Sequence, residues 1–330
     1  MGSKYALLPW IAEVLTEYQF DSAIDAFAGS GAVAYLLKGM GKRVLANDFL
    51  ALGETFAHAL IQNDGVQVDE ELVADLVRYD PRAKQFIQRT FDGIFFSPAD
   101  LRFLDRVWWN LRRLSPSDPR RSLVLAALAR SCMKRQPRGV FTVAGDPERY
   151  KDGRRDLKLS LSEHFLEQID VFNAAAFSNG QRNVAQRGDV FEIDPTGYDL
   201  AYLDPPYVPR SDDNCYIKRY HFVEGLMTYW EGHDVMADSR VKKLRKRYTP
   251  FSYRRDAVEA FRRLFAQFKE QTIVLSYSSN GFPDLAQIRE LLAEFKSDVR
   301  VESRKHRYHF GTHGAVQRSS VDEYLIIGSD

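Results

Sequence analysis

The chain has 330 residues, of which 45% are hydrophobic and 28% are charged, and its formal net charge is +1. This composition is ordinary for a soluble globular protein. It excludes a disulfide framework, because the two cysteines, Cys132 and Cys215, stand far apart. No apolar run is long enough to span a bilayer, and the N-terminus lacks an apolar signal region. We therefore expect a cytoplasmic protein with no membrane partner.

The first 64 residues predict one strand–helix–strand unit. Residues 5–18 carry apolar side chains at helical spacing, and residues 23–27 form a short apolar strand. A glycine turn at residues 28–31 leads into a helix over residues 32–39. A second strand over residues 43–46 ends at Asn47 and Asp48. This order is typical of a parallel βαβ unit.

A long helical stretch then interrupts the α/β pattern. Residues 65–155 are charged and mostly helical, with Phe103, Trp108 and Trp109 at helical spacing. The pattern returns with strands at 184–187, 200–203, 272–277, 299–303 and 324–327 and helices at 158–176, 254–268 and 285–295. The sequence therefore predicts an α/β protein with a doubly wound, mostly parallel sheet and a helical insertion between its second and third strands.

Basic residues are concentrated in three runs, although the net charge is close to zero. Local clusters of this kind can hold phosphates, because counterion release depends on local contacts rather than on net charge. Solvated helix faces are an equally plain interpretation of any single run. The runs are Arg130, Lys134, Arg135 and Arg138; Arg149, Lys151, Arg154 and Arg155; and Arg240, Lys242, Lys243, Arg245, Lys246 and Arg247.

The glycine turn after the first strand indicates a nucleotide-like ligand. Gly29 and Gly31 let the backbone approach a ligand, and the helix that follows favours an anionic group at its N-terminus. Ala34 stands where the dinucleotide fingerprint has its third glycine, which argues against NAD. Asp48 follows by about 20 residues, where an acid can bind both ribose hydroxyls. Asp48 could instead cap a helix that starts near Leu50.

The tetrapeptide Asp204-Pro205-Pro206-Tyr207 is the most specific motif. It follows the apolar strand at residues 200–203, where open α/β sheets bind their ligands. An aromatic amine is a poor nucleophile because its lone pair is delocalised into the ring. A carboxylate and a backbone carbonyl that accept hydrogen bonds from its two N–H groups would draw the amine nitrogen toward a tetrahedral shape. Proline presents that carbonyl on a restricted backbone, and the tyrosine face can stack on an extruded base.

These motifs resemble, in content and order, the Dam-like D12 class of DNA adenine-N6 methyltransferases, which are of the α type. The matching segments are residues 2–5 and 7–10, 25–31, 47–48, 187–190, 204–207, 220–222 and 276–280, with 138–143 resembling a DNA-contacting hairpin. The resemblance implies a Rossmann-like S-adenosylmethionine-dependent methyltransferase fold. It also implies a catalytic domain at 1–64 and 157–330 and a target-recognition insertion at 65–156.

The same resemblance implies roles for individual residues. Catalysis would fall to Asp204, Pro205, Pro206 and Tyr207. S-adenosylmethionine would be held by Lys4, Asp25, Phe27, Gly29, Gly31, Asp48, Asp189, Val190 and Asp204. From the first two basic runs, we expect Lys134, Arg135, Arg138, Arg154 and Arg155 to contact duplex DNA. No metal is required, and no cysteine or acidic residue stands at metal-ligand spacing from His306, His309 and His313.

We expect a monomeric, nucleoid-associated prokaryotic enzyme that methylates duplex DNA, either beside a cognate restriction endonuclease or as an orphan methyltransferase. The residues alone leave alternatives open. Cytosine N4 in DNA or adenine N6 in RNA presents a similar amine. An inactive DNA-binding protein of the same fold is disfavoured by the intact Asp204, glycine turn and Asp48. A nicotinamide-dependent enzyme would leave Asp204–Tyr207 unexplained.

Overall fold

The computed structural model describes residues 4–137, 139–144, 153–206, 208, 216–307 and 320–330. The chain divides into two compact units. The first comprises Met1–Ala57, Asn179–Cys215 and Tyr248–Asp330, and the second comprises His58–Ser178 and Tyr216–Arg247. No helix in the described ranges is both long and apolar enough to cross a membrane.

The first unit contains a seven-stranded sheet. Its strands are β1 (Ser22–Asp25), β2 (Arg43–Asp48), β3 (Val184–Arg187), β4 (Leu200–Leu203), β5 (Thr272–Ser278), β6 (Asp298–Arg307) and β7 (Ser320–Ser329). They lie in the order β3-β2-β1-β4-β5-β7-β6. Strands β1 to β5 are mutually parallel, and β7 runs antiparallel to both of its neighbours. The predicted doubly wound, mostly parallel α/β fold is confirmed.

The strand order reverses between β1 and β4. Both strands are buried at every position, as expected for central strands of a parallel sheet that is covered on both faces. Crossovers leave β1 and β4 in different directions along the sheet, and ligands of open α/β sheets bind at the carboxyl ends of strands at such a switch point. Asp25 ends β1 and Asp204 directly follows β4, and the fold thus brings two distant carboxylates to one place.

Helices cover the sheet. Helix α1 (Leu8–Leu15) contacts α2 (Ala32–Gly39), which packs on β1 and β2, and α3 (Ala51–Ala57) packs on β2 and β3. Helices α11 (Arg254–Gln267) and α12 (Leu285–Ala293) share one apolar cluster with inward-facing side chains of β1, β4 and β5, among them Ile24, Leu203 and Leu275. Burial of this apolar cluster stabilises the first unit.

The second unit is helical. Its described residues form a π-helical turn, His58–Gln62, and seven helices: α4 (Glu70–Val77), α5 (Phe86–Phe91), α6 (Pro98–Leu111), α7 (Pro119–Arg135), α8 (Arg155–Lys158), α9 (Leu161–Ala175) and α10 (Tyr216–Thr228). Its core includes an aromatic cluster in which the Phe222 ring lies 4.9 Å from Phe91 and 5.2 Å from Phe141. Six of these helices, α4 to α9, lie between β2 and β3, where the sequence predicts the insertion.

Two element boundaries differ from the sequence-based ones. The predicted helix at residues 5–18 is a 3₁₀ turn, Lys4–Leu7, followed by α1, because Pro9 cannot continue helical hydrogen bonding from an earlier turn. The predicted insertion at 65–156 is shorter than the second compact unit, which also includes α9 and α10. Both added helices bury apolar faces in that unit, through residues such as Phe165 and Phe222.

Gly53 gives a direct test of how tightly α3 packs on β2. A β-carbon at this position would stand 2.4 Å from Cγ of Asp48. We expect Gly53→Ala to lower the free energy of unfolding by about 1–3 kcal/mol, because overpacking must displace the carboxylate. Urea denaturation would measure the change.

Gly39→Ala is the matched control, since a β-carbon there meets no atom within 4 Å. Alanine is the better helix former, so this control should be neutral or stabilising. Equal stability of the two variants would contradict the packing described for Asp48.

Candidate active site

The carboxyl ends of β1, β4 and β5 and the start of β7 place polar side chains along one edge of the sheet. Asp25 pairs in register with Tyr202 of β4, and Ser278 of β5 pairs with Glu323 of β7. All four residues are buried. Polar groups are costly to bury, so a row of them at the switch point of the sheet marks a candidate site.

The glycine turn after β1 has the backbone conformation that the sequence predicts. Gly29 has a φ of +54° and Gly31 a φ of +76°, both in the left-handed region that favours glycine. Gly31 is the N-cap of α2, and the amide of Ala34 in its first turn donates to Oδ2 of Asp25 at 3.0 Å. The turn therefore fixes the Asp25 carboxyl group at the start of α2.

The carboxyl group of Asp25 is unusual in its surroundings. It is buried, and among the described residues its Oδ1 atom has no hydrogen-bond partner. Burial, reinforced by the negative charge of Asp204, raises the pKa of Asp25 to about 8. A carboxyl group held in this way ionises more readily when a cation binds next to it.

Asp48 ends β2 and braces the same turn. Its Oδ2 accepts the Gly29 amide at 2.7 Å, and its Oδ1 accepts the Leu50 amide at 2.8 Å. Burial raises the pKa of Asp48, and these amide hydrogen bonds oppose the rise. The hydrogen bond to the Leu50 amide is the one that the capping interpretation of Asp48 predicts. The ribose-binding interpretation stays open, because each carboxylate oxygen can still accept a further hydrogen bond.

The segment after β3 lies next to β2. Asn47 donates to the Ala26 carbonyl at 3.1 Å and to the Gly188 carbonyl at 3.4 Å, which ties together the ends of β1, β2 and β3. The exposed Asp189 caps the 3₁₀ turn Val190–Glu192 through the Phe191 amide. Val190 in this turn is buried.

Three aromatic side chains, Phe27, Phe191 and Phe251, pack against one another at this turn. The ring of Phe27 meets Phe251 edge-on at 5.6 Å, and Phe251 stacks on Phe191 at 5.8 Å. The guanidinium of Arg263 lies 4.1 Å from the centre of the Phe191 ring. The half-buried Phe27 thus offers apolar surface directly before the glycine turn, as a ring-binding site requires.

Asp204 takes part in an ion-pair network with Lys4 and Glu323. Nζ of Lys4 lies 3.4 Å from Oδ1 of Asp204 and 3.2 Å from Oε2 of Glu323. The side chain of Asp204 retains 23% exposure, whereas that of Glu323 retains 1%. A ligand can therefore reach Asp204, while Glu323 is covered by protein.

The charges of this network act on Asp204 in opposite directions. Burial raises the pKa of Asp204, Lys4 opposes that rise, and Glu323 adds to it. Tyr202 lies two residues earlier on the same side of β4, and burial together with Asp204 raises the pKa of its hydroxyl. Pro205 is buried and Pro206 is half-buried, so the backbone after Asp204 is held firmly.

The structure brings most of the predicted site residues to one edge of the sheet. Those present there are Lys4, Asp25, Phe27, Gly29, Gly31, Asp48, Asp189, Val190, Asp204, Pro205 and Pro206. Tyr207 lies outside the described residues. Sequence reasoning missed Glu323, Tyr202 and Gly53. The only signal for Glu323 was an acidic residue directly before the apolar run of β7, which is common at strand ends.

The predicted DNA-contacting residues lie in the second unit and differ in exposure. Lys134 is half-buried and lies 3.2 Å from Asp156, Arg154 donates to the Pro137 carbonyl at 2.8 Å, and the exposed Arg155 pairs with Glu167. Arg138 lies outside the described residues.

Arg135 does not have the surroundings of a DNA contact. It is 8% exposed, faces Asp100 at 3.9 Å and donates to the Leu157 carbonyl. The helical spacing of α7 turns Arg135 inward and Lys134 toward solvent, and this arrangement is a correction to the prediction that Arg135 contacts DNA.

Comparison with known proteins agrees with this geometry. A family model described as D12 class N6 adenine-specific DNA methyltransferase matches residues 1–278. The type II methyltransferase M2.HphI of Haemophilus parahaemolyticus is 28% identical, over 93% of this chain and 90% of its own length. The type II methyltransferase M.NlaIII of Neisseria lactamica is 25% identical, over 99% and 98%. The modification methylase LlaI of Lactococcus lactis subsp. lactis is 21% identical, over 93% and 50%.

The family match covers the glycine turn, Asp48 and the motif that begins at Asp204, in the order that the sequence predicts. It also decides between amines that the geometry alone does not separate, because the family acts on adenine N6 in DNA. The chain belongs to the D12 class of N6 adenine-specific DNA methyltransferases.

Proposed function

We propose that this chain transfers a methyl group from S-adenosylmethionine to N6 of an adenine turned out of duplex DNA, with Asp204 and the Pro205 carbonyl binding the target amine. The observation that carries the proposal is the surroundings of Asp204. Its partly exposed carboxylate stands at the carboxyl end of β4, at the switch point of the sheet, next to a buried ammonium. Ligands of open α/β sheets bind at this position.

Asp204 would activate the amine by accepting a hydrogen bond from one of its N–H groups, while the Pro205 carbonyl accepts a hydrogen bond from the other. Two acceptors on one side draw the nitrogen toward a tetrahedral shape and localise its lone pair. As the nitrogen gains a bond it becomes positive, and a nearby carboxylate stabilises that charge. Burial raises the pKa of Asp204, which improves a carboxylate oxygen as acceptor for the proton that the amine then releases.

The residues at the end of β1 and β2 fit S-adenosylmethionine. Oδ1 of Asp25 is buried without a hydrogen-bond partner among the described residues, and the negative charge of Asp204 acts on this carboxyl group. A cationic ligand suits such a region, and bound S-adenosylmethionine would supply a methyl group on a sulfonium. The left-handed glycines leave the backbone open to close approach, and Asp48 can accept from ribose hydroxyls.

The predicted cofactor residues would divide among the parts of this ligand. Asp25, Gly29 and Gly31 would hold the amino-acid end of the cofactor. Asp48 would hold the ribose, and Phe27, Asp189 and Val190 would flank the adenine ring. Lys4 and Asp204 would border both the cofactor and the target base.

The helical second unit would bind the DNA. Lys134, Arg154 and Arg155 are the described members of the predicted set that retain access to solvent, and Arg138 belongs to the same proposal. Their bonds to protein carboxylates and carbonyls are surface interactions, which are worth little and can exchange for phosphates. Tyr207 would stack on the base after it leaves the duplex, since every base offers a π-face.

The biological role that we propose is modification of a recognition sequence alongside a restriction endonuclease. The names of the relatives support this role, since two are type II methyltransferases and one is a modification methylase. The enzyme would act as a monomer in the cytoplasm of a prokaryote. A single unit carries the cofactor residues and Asp204, so no second copy is needed to complete them.

Asp204→Ala tests the assignment of the catalytic carboxylate. We expect methyl transfer to duplex DNA to fall by about 10²- to 10⁴-fold, the range that a positioned proton acceptor contributes. The dissociation constant for S-adenosylmethionine, measured by calorimetry, should stay within a few-fold. The exposed Asp298→Ala is the control and should change neither quantity. Loss of cofactor binding equal to the loss of transfer would contradict the assignment.

A second prediction concerns the basic residues of the insertion. In Lys134→Gln/Arg154→Gln/Arg155→Gln, the slope of log Kd for duplex DNA against log salt should become shallower by about 0.9 for each phosphate that the protein no longer neutralises. Anisotropy titrations at several KCl concentrations would measure the slope. Arg135→Gln should instead lower the melting temperature, because it leaves Asp100 buried beside an uncharged partner. An unchanged slope in the triple variant would remove these residues from the interface.

A further inference from the structure

We infer that Glu323 is a positioning residue for methyl transfer: it holds the Lys4 ammonium between two carboxylates, so that Asp204 can accept a hydrogen bond from the target amine. The inference rests on the proposed role of Asp204. It assigns a role in the reaction to a residue on the last strand of the chain, 119 positions after Asp204, whose side chain is 1% exposed.

Burial separates Glu323 from the substrate. Its side chain is 1% exposed, and its register partner across the sheet is Ser278 of β5, which is also buried. A carboxylate in such a place is costly unless a cation compensates it, and Lys4 lies 3.2 Å from Oε2. Glu323 therefore acts through Lys4 rather than on a ligand.

The position of the Lys4 ammonium explains why a second carboxylate matters. Nζ lies 3.4 Å from Oδ1 of Asp204, slightly farther than it lies from Glu323. If Glu323 carried no charge, the ammonium would be drawn fully onto Asp204. The ammonium would then occupy the carboxylate oxygens that must accept a hydrogen bond from the amine. Shared between two carboxylates, Lys4 stabilises the charge of Asp204 without competing for the site.

Glu323→Gln tests this directly, because glutamine keeps the shape and removes the charge. We expect the single-turnover rate of methyl transfer to fall by about 10- to 100-fold, the loss that misplacing a reacting group causes. The KM for S-adenosylmethionine should change less than threefold. Glu302→Gln on β6, where the carboxylate is partly exposed and pairs with Arg300, is the matched control and should behave as wild type.

A double-mutant cycle with Lys4→Met separates positioning from folding. If Glu323 acts through Lys4, then Glu323→Gln should cost less than twofold in the Lys4→Met background. Melting temperatures identify any variant that fails to fold. Losses that multiply in the double variant, or a full rate in Glu323→Gln, would overturn the inference. Because Asp204→Ala is measured separately, such a result would leave the proposed role of Asp204 standing.

We also propose that an ordered basic hairpin, residues 234–247 of the second unit, binds the phosphate backbone of duplex DNA. The hairpin is defined by a bridge between Val235 and Leu244, and the Met236 amide donates to the Lys243 carbonyl at 2.8 Å. Val241 and Leu244 are buried and anchor it. Six cations stand within residues 240–247, with no acid among them: Arg240, Lys242, Lys243, Arg245, Lys246 and Arg247.

The contrast with the rest of the chain favours a polyanionic partner. Residues 234–247 carry these six cations and two acids, Asp234 and Asp238, so the hairpin has a net charge of +4 and the rest of the chain, which is +1 in total, has a net charge of −3. Concentrating positive charge on one hairpin in an otherwise acidic protein costs stability through self-repulsion, and a bound polyanion would relieve that repulsion. Arg240, Arg245 and Arg247 are exposed, and the ion pair of Arg245 with Asp234 is itself exposed, so phosphates can replace it.

Arg240→Gln/Lys243→Gln/Arg247→Gln tests the hairpin. At 150 mM KCl we expect the Kd for duplex DNA to rise at least tenfold, to the same extent for cognate and non-cognate sequences. Cofactor affinity should not change. The exposed cations of the first unit provide the control, Arg182→Gln/Lys269→Gln/Arg289→Gln, which should bind DNA as wild type does. Equal effects of the two triple variants, or weaker binding of the cognate sequence alone, would overturn the proposal.

Discussion

The ion-pair network around Lys4 is the interaction on which the rest of this site depends. Its ammonium lies between Asp204 and the buried Glu323, and the carboxyl group of Asp25, whose pKa the charge of Asp204 helps to raise, stands near Asp204. Strands that are distant in sequence must come together to form this network, which makes the network sensitive to correct folding. It keeps charge in a place where charge is costly, as functional sites commonly do at some expense of stability.

The excess of carboxyl groups over cations in this network also explains the choice of donor that we propose. A methyl donor with a sulfonium is positive before transfer and neutral afterwards. A negative site therefore favours the donor over its product. The raised pKa of Asp25 fits the same scheme, because a carboxyl group that is partly protonated without ligand can ionise when a cation arrives.

Sequence reasoning reached much of this arrangement because the decisive signals are local. The left-handed glycines after β1, the acid at the end of β2 and the Asp-Pro-Pro segment after β4 can each be recognised within a few residues. Parallel strands bring their carboxyl ends to one edge, so local signals were enough to predict a shared site. Adenine rather than cytosine rests on the family match and not on any of these residues.

The features that sequence reasoning missed are set by long-range packing. Glu323 is buried only because β7 inserts antiparallel beside β5, and Gly53 matters only because α3 presses against Asp48. Arg135 shows the reverse error, since a basic run along a helix places some of its members inward. Composition and spacing along the chain contain no information on which neighbour a side chain will meet.

Identifying the product tests most directly whether the chain methylates adenine N6 in DNA. Unmodified duplex DNA would be incubated with the protein and with S-adenosylmethionine that carries an isotopically labelled methyl group, then digested to nucleosides and analysed by mass spectrometry. We expect label in N6-methyldeoxyadenosine and in no other nucleoside. Label in N4-methyldeoxycytidine, or DNA without label although the cofactor binds, would contradict this activity.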